Sequence, residues 1–192
     1  MNLREQKKAD TSARLVSVAR KNFAERGYAD TSMDELCAEA GVTRGALYHN
    51  FGGKDGLFEA VVRQIDHEIG ERLLAIAEGD ESLEGFIKTC VAYLEMAMEP
   101  DVQQIMFKDG PAVLGQRLRE IDQEGSIEPL RDAIEGLQAG NSWKPGDAMA
   151  YAILINGAMI DAALWIASDR HSATRSKAAA QALAQLIEGL SV

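Results

Sequence analysis

Histidine, cysteine and proline are scarce in this chain of 192 residues, at three, two and four, and aromatic side chains make up only 6%. His49, His67 and His171 lie far apart, and no H-E-x-x-H or G-x-S-x-G element and no glycine pattern after a strand occurs. The enzyme classes built on those constellations are thereby excluded, and the expectation is a non-enzyme without metal or cofactor. His67 and Glu71 stand at i, i+4, but one such pair on a helix reads as a solvated face, since a metal needs further ligands in register. Cys37 and Cys90 fall in separate helical patterns without metal spacing, which fits a reducing compartment and two core thiols. Residues Met1 to Asp10 are polar and no apolar run reads as long enough to cross a bilayer, so a cytoplasmic protein is expected. There is no repeat, no low-complexity segment and no alternating strand pattern, which points to an all-α fold.

Positive charge is also in deficit: 20 Lys and Arg stand against 30 Asp and Glu, a formal net charge of −10. Taken alone, that balance speaks against nucleic acid, and it excludes an anionic membrane surface as partner. Its distribution reverses the first conclusion. Before Gly27, Arg4, Lys7, Lys8, Arg14, Arg20, Lys21 and Arg26 outnumber Glu5, Asp10 and Glu25. Salt screens charges beyond about 8 Å, so local charge is the better guide to a DNA contact.

What is present is concentrated between Thr31 and Leu57. Met33, Leu36, Cys37 and Ala40 share one helix face. Ser32 with Glu35 three residues on is a capping-box signature, and the exposed helix N-terminus behind it suits a phosphate. Gly41 stops the helix, Val42 packs back into the angle, and Thr43 caps a second helix. In that helix Ala46, Leu47 and Phe51 turn inward, leaving Arg44, Gly45, Tyr48 and His49 outside. A guanidinium, a phenol and an imidazole with no acid between them suit phosphates and base edges. The pattern is a helix-turn-helix with Arg44 as base reader, Gly45 allowing close approach, and Lys54 meeting a phosphate. Residues 1 to 10 read as a flexible basic arm, and Thr11 or Ser12 as the cap of a first helix carrying Leu15, Val16, Ala19 and Phe23 inward.

Gly27-Tyr28 before Thr31-Ser32, the turn Ala40-Gly41-Val42-Thr43, and Leu47-Tyr48 followed by Phe51, Lys54 and Leu57 resemble the TetR-type (TetR/AcrR) transcriptional regulators. The resemblance is specific over roughly residues 10 to 60 and covers only the layout beyond. It implies a helix-turn-helix domain over 1–55 joined by a long helix to a helical ligand-binding and dimerisation domain over 56–192. It implies a double-stranded operator, a second copy of the chain and a small-molecule effector as partners. Repression is the family expectation, with an effector changing the tilt of the long helix and so the spacing of two reading heads.

Downstream, Leu57, Val61, Ile65, Ile69, Leu73 and Ile76 trace one long helix from Gly53 to Glu78. Helices are expected over Ser82–Glu99, Asp101–Asp109, Ala112–Gln123, Ile127–Ala139, Asp147–Ser168 and Ala173–Leu190, with Gly140–Gly146 as a loop. Phe86, Tyr93, Met96, Met106, Phe107, Trp143, Asn156 and Trp165 are bulky, soft or polar residues suited to a cavity for an apolar or aromatic molecule. On the last two helices Ala152, Ile155, Met159, Ala163 and Ile166 share one face, and Ala179, Leu183, Leu186 and Leu190 another. The resemblance implies that these pack against their mates in a dimeric four-helix bundle. The alternative is a helical ligand-binding or protein-interaction module whose helix-turn-helix does not bind DNA.

Overall fold

The computed structural model describes residues 3–168 and 172–192; Met1 and Asn2 of the expected arm, and His171, lie outside the described residues. These residues form α1 (Leu3–Asp30), α2 (Met33–Glu39), α3 (Arg44–Phe51), α4 (Lys54–Ala77), α5 (Leu83–Met96), α6 (Pro100–Val102), a π-helical segment Gln103–Asp109, α7 (Gly110–Leu114), α8 (Gln116–Ala139), α9 (Ala148–Ala167) and α10 (Ser172–Glu188). The only β pairing among them is an isolated bridge between Trp143 and Ser191, so the fold is all-α. Two compact units result: residues up to Ile65 with Pro100–Leu118, and Asp66–Glu99 with Arg119–Val192.

In the first unit Leu15, Ala19, Phe23, Leu36, Leu47, Leu57, Phe58 and Val61 are fully buried. Each large aliphatic or aromatic side chain hidden in this way contributes about 1.5–3 kcal/mol. Phe23 and Phe58 meet edge to face at 5.2 Å, and Tyr28 packs against both. The backbone turns at Gly27, whose φ of 77° only glycine adopts without strain. Asp109 secures that turn, its Oδ2 accepting the Tyr28 N–H at 2.8 Å and Gln104 Nε2 at 3.1 Å. Arg20 donates twice to Asp101 Oδ2, at 3.0 and 2.8 Å. Against the burial that alone would raise it, this guanidinium holds the Asp101 carboxyl below the usual carboxylate range. These contacts are why Pro100–Leu118 packs with the amino-terminal helices.

The basic arm is corrected: from Leu3 onward its residues are the first turns of α1. Arg, Glu, Gln, Lys and Ala are good helix formers, so nothing before Thr11 breaks the helix. Thr11 is not a cap; its hydroxyl donates to the Lys7 carbonyl at 2.8 Å inside the helix. The two helices expected over Ala112–Gln123 and Ile127–Ala139 are a single α8 that runs through Gly125 and Pro129. The break lies instead at Gly115, with φ 54°, while Pro111 sits in the first turn of α7, where its missing N–H is harmless.

In the second unit α5 packs on α9 and α10. Ser82 and Asp147 cap α5 and α9, accepting the N–H of Gly85 and of Ala150, each at 3.1 Å. The loop before α9 is closed by Trp143, which is 2% exposed between Phe86 and Tyr151. Lys144 ties the same loop to the carboxy-terminal end, its N–H on the Leu190 carbonyl at 2.9 Å and its Nζ on the Gly189 carbonyl at 2.6 Å. One expectation fails here: α9 is 20 residues long and apolar enough, by length and composition, to cross a membrane. Its residues Ala152, Ile155, Asn156, Met159 and Ala163 are buried within the chain itself.

Candidate nucleic-acid interface

The turn between α2 and α3 is set by local hydrogen bonds. Gly41 takes the left-handed conformation, φ 64°, and its N–H reaches the Ala38 carbonyl at 3.2 Å while Val42 N–H reaches the Cys37 carbonyl at 2.9 Å. This is the double bond of a Schellman stop. Thr43 Oγ1 then accepts the Ala46 N–H at 3.2 Å and starts α3. Ser32 caps α2, accepting the Glu35 N–H at 3.5 Å. Only half of the expected capping box forms, because the Glu35 carboxylate pairs with Arg26 instead.

On α3 Leu47 is buried, and Arg44, Gly45, Tyr48 and His49 are exposed together on the outer side. Tyr48 is 50% exposed, a high value for an aromatic ring. Space around Gly45 is open, the nearest atom to a built Cβ being Thr43 Oγ1 at 3.8 Å. Asn50 is not part of this face; it folds back to donate to the Ala46 carbonyl at 2.7 Å. Lys54 stands over the Tyr28 ring at 4.3 Å, with the Ala29 carbonyl 3.4 Å from its Nζ. Partial burial lowers its pKa, against the raising effect of Asp30, Asp55 and Asp109. Burial raises the Tyr28 phenol, reinforced by its hydrogen bond to Asp55.

Sequence reasoning missed two features of this surface. A Cβ on Gly56 would fall 1.9 Å from the Phe51 carbonyl oxygen, so α4 can follow α3 this closely only with glycine there. The acids of α2 are the other. Asp34 pairs with Arg44 at 3.2 Å and Glu39 with Lys21 at 3.3 Å, alongside Glu35 with Arg26. Hydrogen bonds from Asn22 and Lys21 hold the Glu39 carboxyl below its ordinary range. The spacing of these partners in the sequence, about ten residues or more, gives no periodic signal.

The expected ligand residues are divided between the two units. Met106 and Phe107 lie on the π-helical segment and are buried in the first unit, whereas Phe86, Tyr93, Met96, Trp143 and Asn156 are buried in the second. Trp165 lies at the surface: it is 46% exposed, with the Arg175 guanidinium 4.8 Å from its ring centre. In the second unit's interior Asn156 donates to Asp122 Oδ2 at 2.7 Å, and Tyr93 lies in the field of that carboxylate. Burial raises the Asp122 carboxyl, against lowering by Asn156, Ser126 and Arg119. His67 and Glu71, 3.6 Å apart and largely exposed, form a solvated pair.

Most of the residues expected at a dimer face are buried within a single copy of the chain. Ala152, Ile155, Met159, Ala163 and Ile166 are at most 5% exposed, and Ala179 and Leu183 at most 9%, in a single copy of the chain. Ile187, not Leu186, continues the inner face of α10, being fully buried where Leu186 is 54% exposed. The outer face of α9 carries Ile153, Leu154 and Trp165, at 46, 69 and 46% exposure.

Two family models match the chain: bacterial regulatory proteins of the tetR family over residues 15–61, and the tetracyclin repressor-like C-terminal domain over residues 83–190. It is similar to the HTH-type transcriptional repressor BepR of Brucella suis biovar 1 (strain 1330), 27% identical over 133 residues that span 68% of this chain and 60% of that protein. A solved structure of a TetR-family transcriptional regulator from Pectobacterium atrosepticum superposes with a TM-score of 0.91 at 45% identity, covering 100% of this chain and 98% of the other. RolR, solved in complex with resorcinol, shares the fold at 20% identity and a TM-score of 0.72, over 95% of this chain and 89% of its own.

Proposed function

Because the chain belongs to the TetR family of bacterial regulators, we propose that it is a cytoplasmic, homodimeric repressor that leaves a palindromic operator when a small apolar or aromatic molecule binds. The observation that carries this reading is the outward face of α3, where Arg44, Gly45, Tyr48 and His49 stand exposed on a helix fixed by the Thr43 cap. Ser32, Thr43 and Lys54 border that face and serve phosphates, while Arg44 reads a guanine edge. In functional terms, residues 1–55 meet DNA and 56–192 regulate and dimerise. One such helix selects a site poorly; two, held about 34–36 Å apart, read successive turns of a palindrome.

The second copy packs on the outer faces of α9 and α10, through Ile153, Leu154, Gly157 and Trp165 with Leu186. The spacing from 153 to 154, 157 and 165 follows one helical stripe, and Gly157 lets backbones approach. Effector contacts are assigned to Phe86, Tyr93, Met96 and Asn156 in the second unit. The aromatic ligand of RolR and the repressor role of BepR support the effector class and the sign. An effector acts by favouring one tilt of α4; a coupling of about 1–3 kcal/mol corresponds to about 5- to 150-fold in operator affinity.

Selection of bound fragments from a random duplex pool tests the proposal. The expected product is a palindrome whose retention declines steeply with salt, and Arg44→Ala removes one guanine preference, about 1–3 kcal/mol of discrimination. Failure to retain any duplex at low salt would leave a helical ligand-binding module instead.

A further inference from the structure

Arg44 meets Asp34 through one nitrogen only. Its Nη1 is 3.2 Å from Asp34 Oδ1 and 3.4 Å from Oδ2, so both carboxylate oxygens occupy the same corner of the guanidinium. The other edge, Nε with Nη2, makes no hydrogen bond to any described residue. That edge offers two parallel donors, the arrangement that bonds N7 and O6 of guanine side by side. Asp34 sits in the first turn of α2, and its two neighbouring acids are engaged elsewhere, Glu35 with Arg26 and Glu39 with Lys21. Asp34 is thus the acid of α2 that pairs with Arg44.

We propose that Asp34 is a specificity-determining residue of the DNA contact: bound at Nη1, it aims the Arg44 fork at a base edge and keeps phosphate away from it. The inference rests on Arg44 being the base reader. A guanine edge is neutral, so Arg44 can bond it while remaining paired. A phosphate that takes the same guanidinium comes within a few ångströms of the Asp34 carboxylate, and like charges at that distance repel. Asp34 thus weakens the unspecific contact and leaves the specific one intact. A plain first-turn acid would act differently, favouring the α2 N-terminus through the helix dipole and leaving base preference untouched.

The test uses the full chain, a duplex selected from a random pool by the wild-type protein, and a random duplex of the same length. For Asp34→Asn the affinity for the random duplex rises and the selected-to-random ratio falls about three- to fivefold, the equivalent of one exposed ion pair. The slope of log affinity against log salt steepens toward one more phosphate contact. Asp34→Glu restores the ratio. A ratio and slope equal to wild type in Asp34→Asn, with helicity unchanged, would overturn the role of Asp34. If Arg44→Ala loses its guanine preference while Asp34→Asn keeps it, only this inference fails; if Arg44→Ala keeps the preference, the reading of Arg44 beneath it fails too. Should Asp34→Asn lose helicity, Asp34→Ser decides by the same two readouts.

Discussion

Replacing Leu154 by glutamate should convert the chain to a monomer without unfolding it. In a single copy 69% of this side chain is exposed, and full burial of a leucine is worth about 1.5–3 kcal/mol, so a second copy recovers about 1–2 kcal/mol there. Two-fold symmetry brings the substitution in twice. Even truncation to alanine should then weaken the pair by about 2–4 kcal/mol, or about 30- to 700-fold in Kd. Ile153, Trp165 and Leu186, about half exposed, contribute on the same scale, which brings the gross gain into the range of the association cost, about 4–15 kcal/mol. No member of the set is therefore dispensable, and glutamate adds the burial of two like charges. Sedimentation equilibrium reads the result, with circular dichroism to show that α9 still packs. A Leu154→Glu protein that sediments as a dimer at the wild-type concentration would refute the assignment of this face, and a wild type that is monomeric would refute it more simply.

Gly56→Ala should lower stability by about 3 kcal/mol, the upper part of the overpacking range, because the obstacle is the Phe51 backbone carbonyl and not a movable side chain; chemical denaturation measures it, and operator affinity should fall with it. Thr43→Ala removes the α3 cap and should cost about 1 kcal/mol, with Thr43→Ser restoring it, as read by thermal melts. Asp122→Asn should raise Tm at neutral pH. Burial raises the folded pKa of Asp122 above its unfolded value, so its stabilising contribution is complete below the unfolded pKa of about 3.9 and is lost as pH rises through the folded value. Asparagine keeps the acceptor for Asn156 without the charge, and its advantage over wild type should vanish as melts are run in increasingly acidic buffer; an advantage that persists there would contradict this account.

The α2–α3 turn was legible because its determinants are local: a glycine that accepts positive φ, a threonine cap, and apolar residues at i, i+3 and i+4. The inward and outward sides of α3 follow from that, including Arg44, Tyr48 and His49. On α9 the same method is less decisive, and the helix explains why. Apolar residues surround it, Ile155 and Met159 inward and Ile153 and Leu154 outward, so periodicity finds a stripe but cannot say which of two stripes meets the chain's own core. On α10 the choice between Leu186 and Ile187 is a single step in register. At Gly125 and Pro129, local breakers were outweighed by the packing of Ile121, Ile134 and Leu137, all buried on one α8.

Net charge was the least informative feature of the composition, and the ion pairs of the first unit show the reason. A chain at −10 is expected to avoid DNA if its charge acts as a whole, but salt reduces that action to the nearest few residues. Among those, Lys21, Arg26 and Arg44 each face an acid of α2. Such exposed pairs are worth little to folding. Their consequence is for binding, since a phosphate that takes Lys21, Arg26 or Arg44 must approach a carboxylate that stays nearby. A genome offers a vast excess of wrong sites, so occupancy of the right one depends on the ratio of affinities and not on the tighter of them. On the role proposed for Asp34, acids placed beside α3 lower the denominator of that ratio, which favours selectivity at modest absolute affinity.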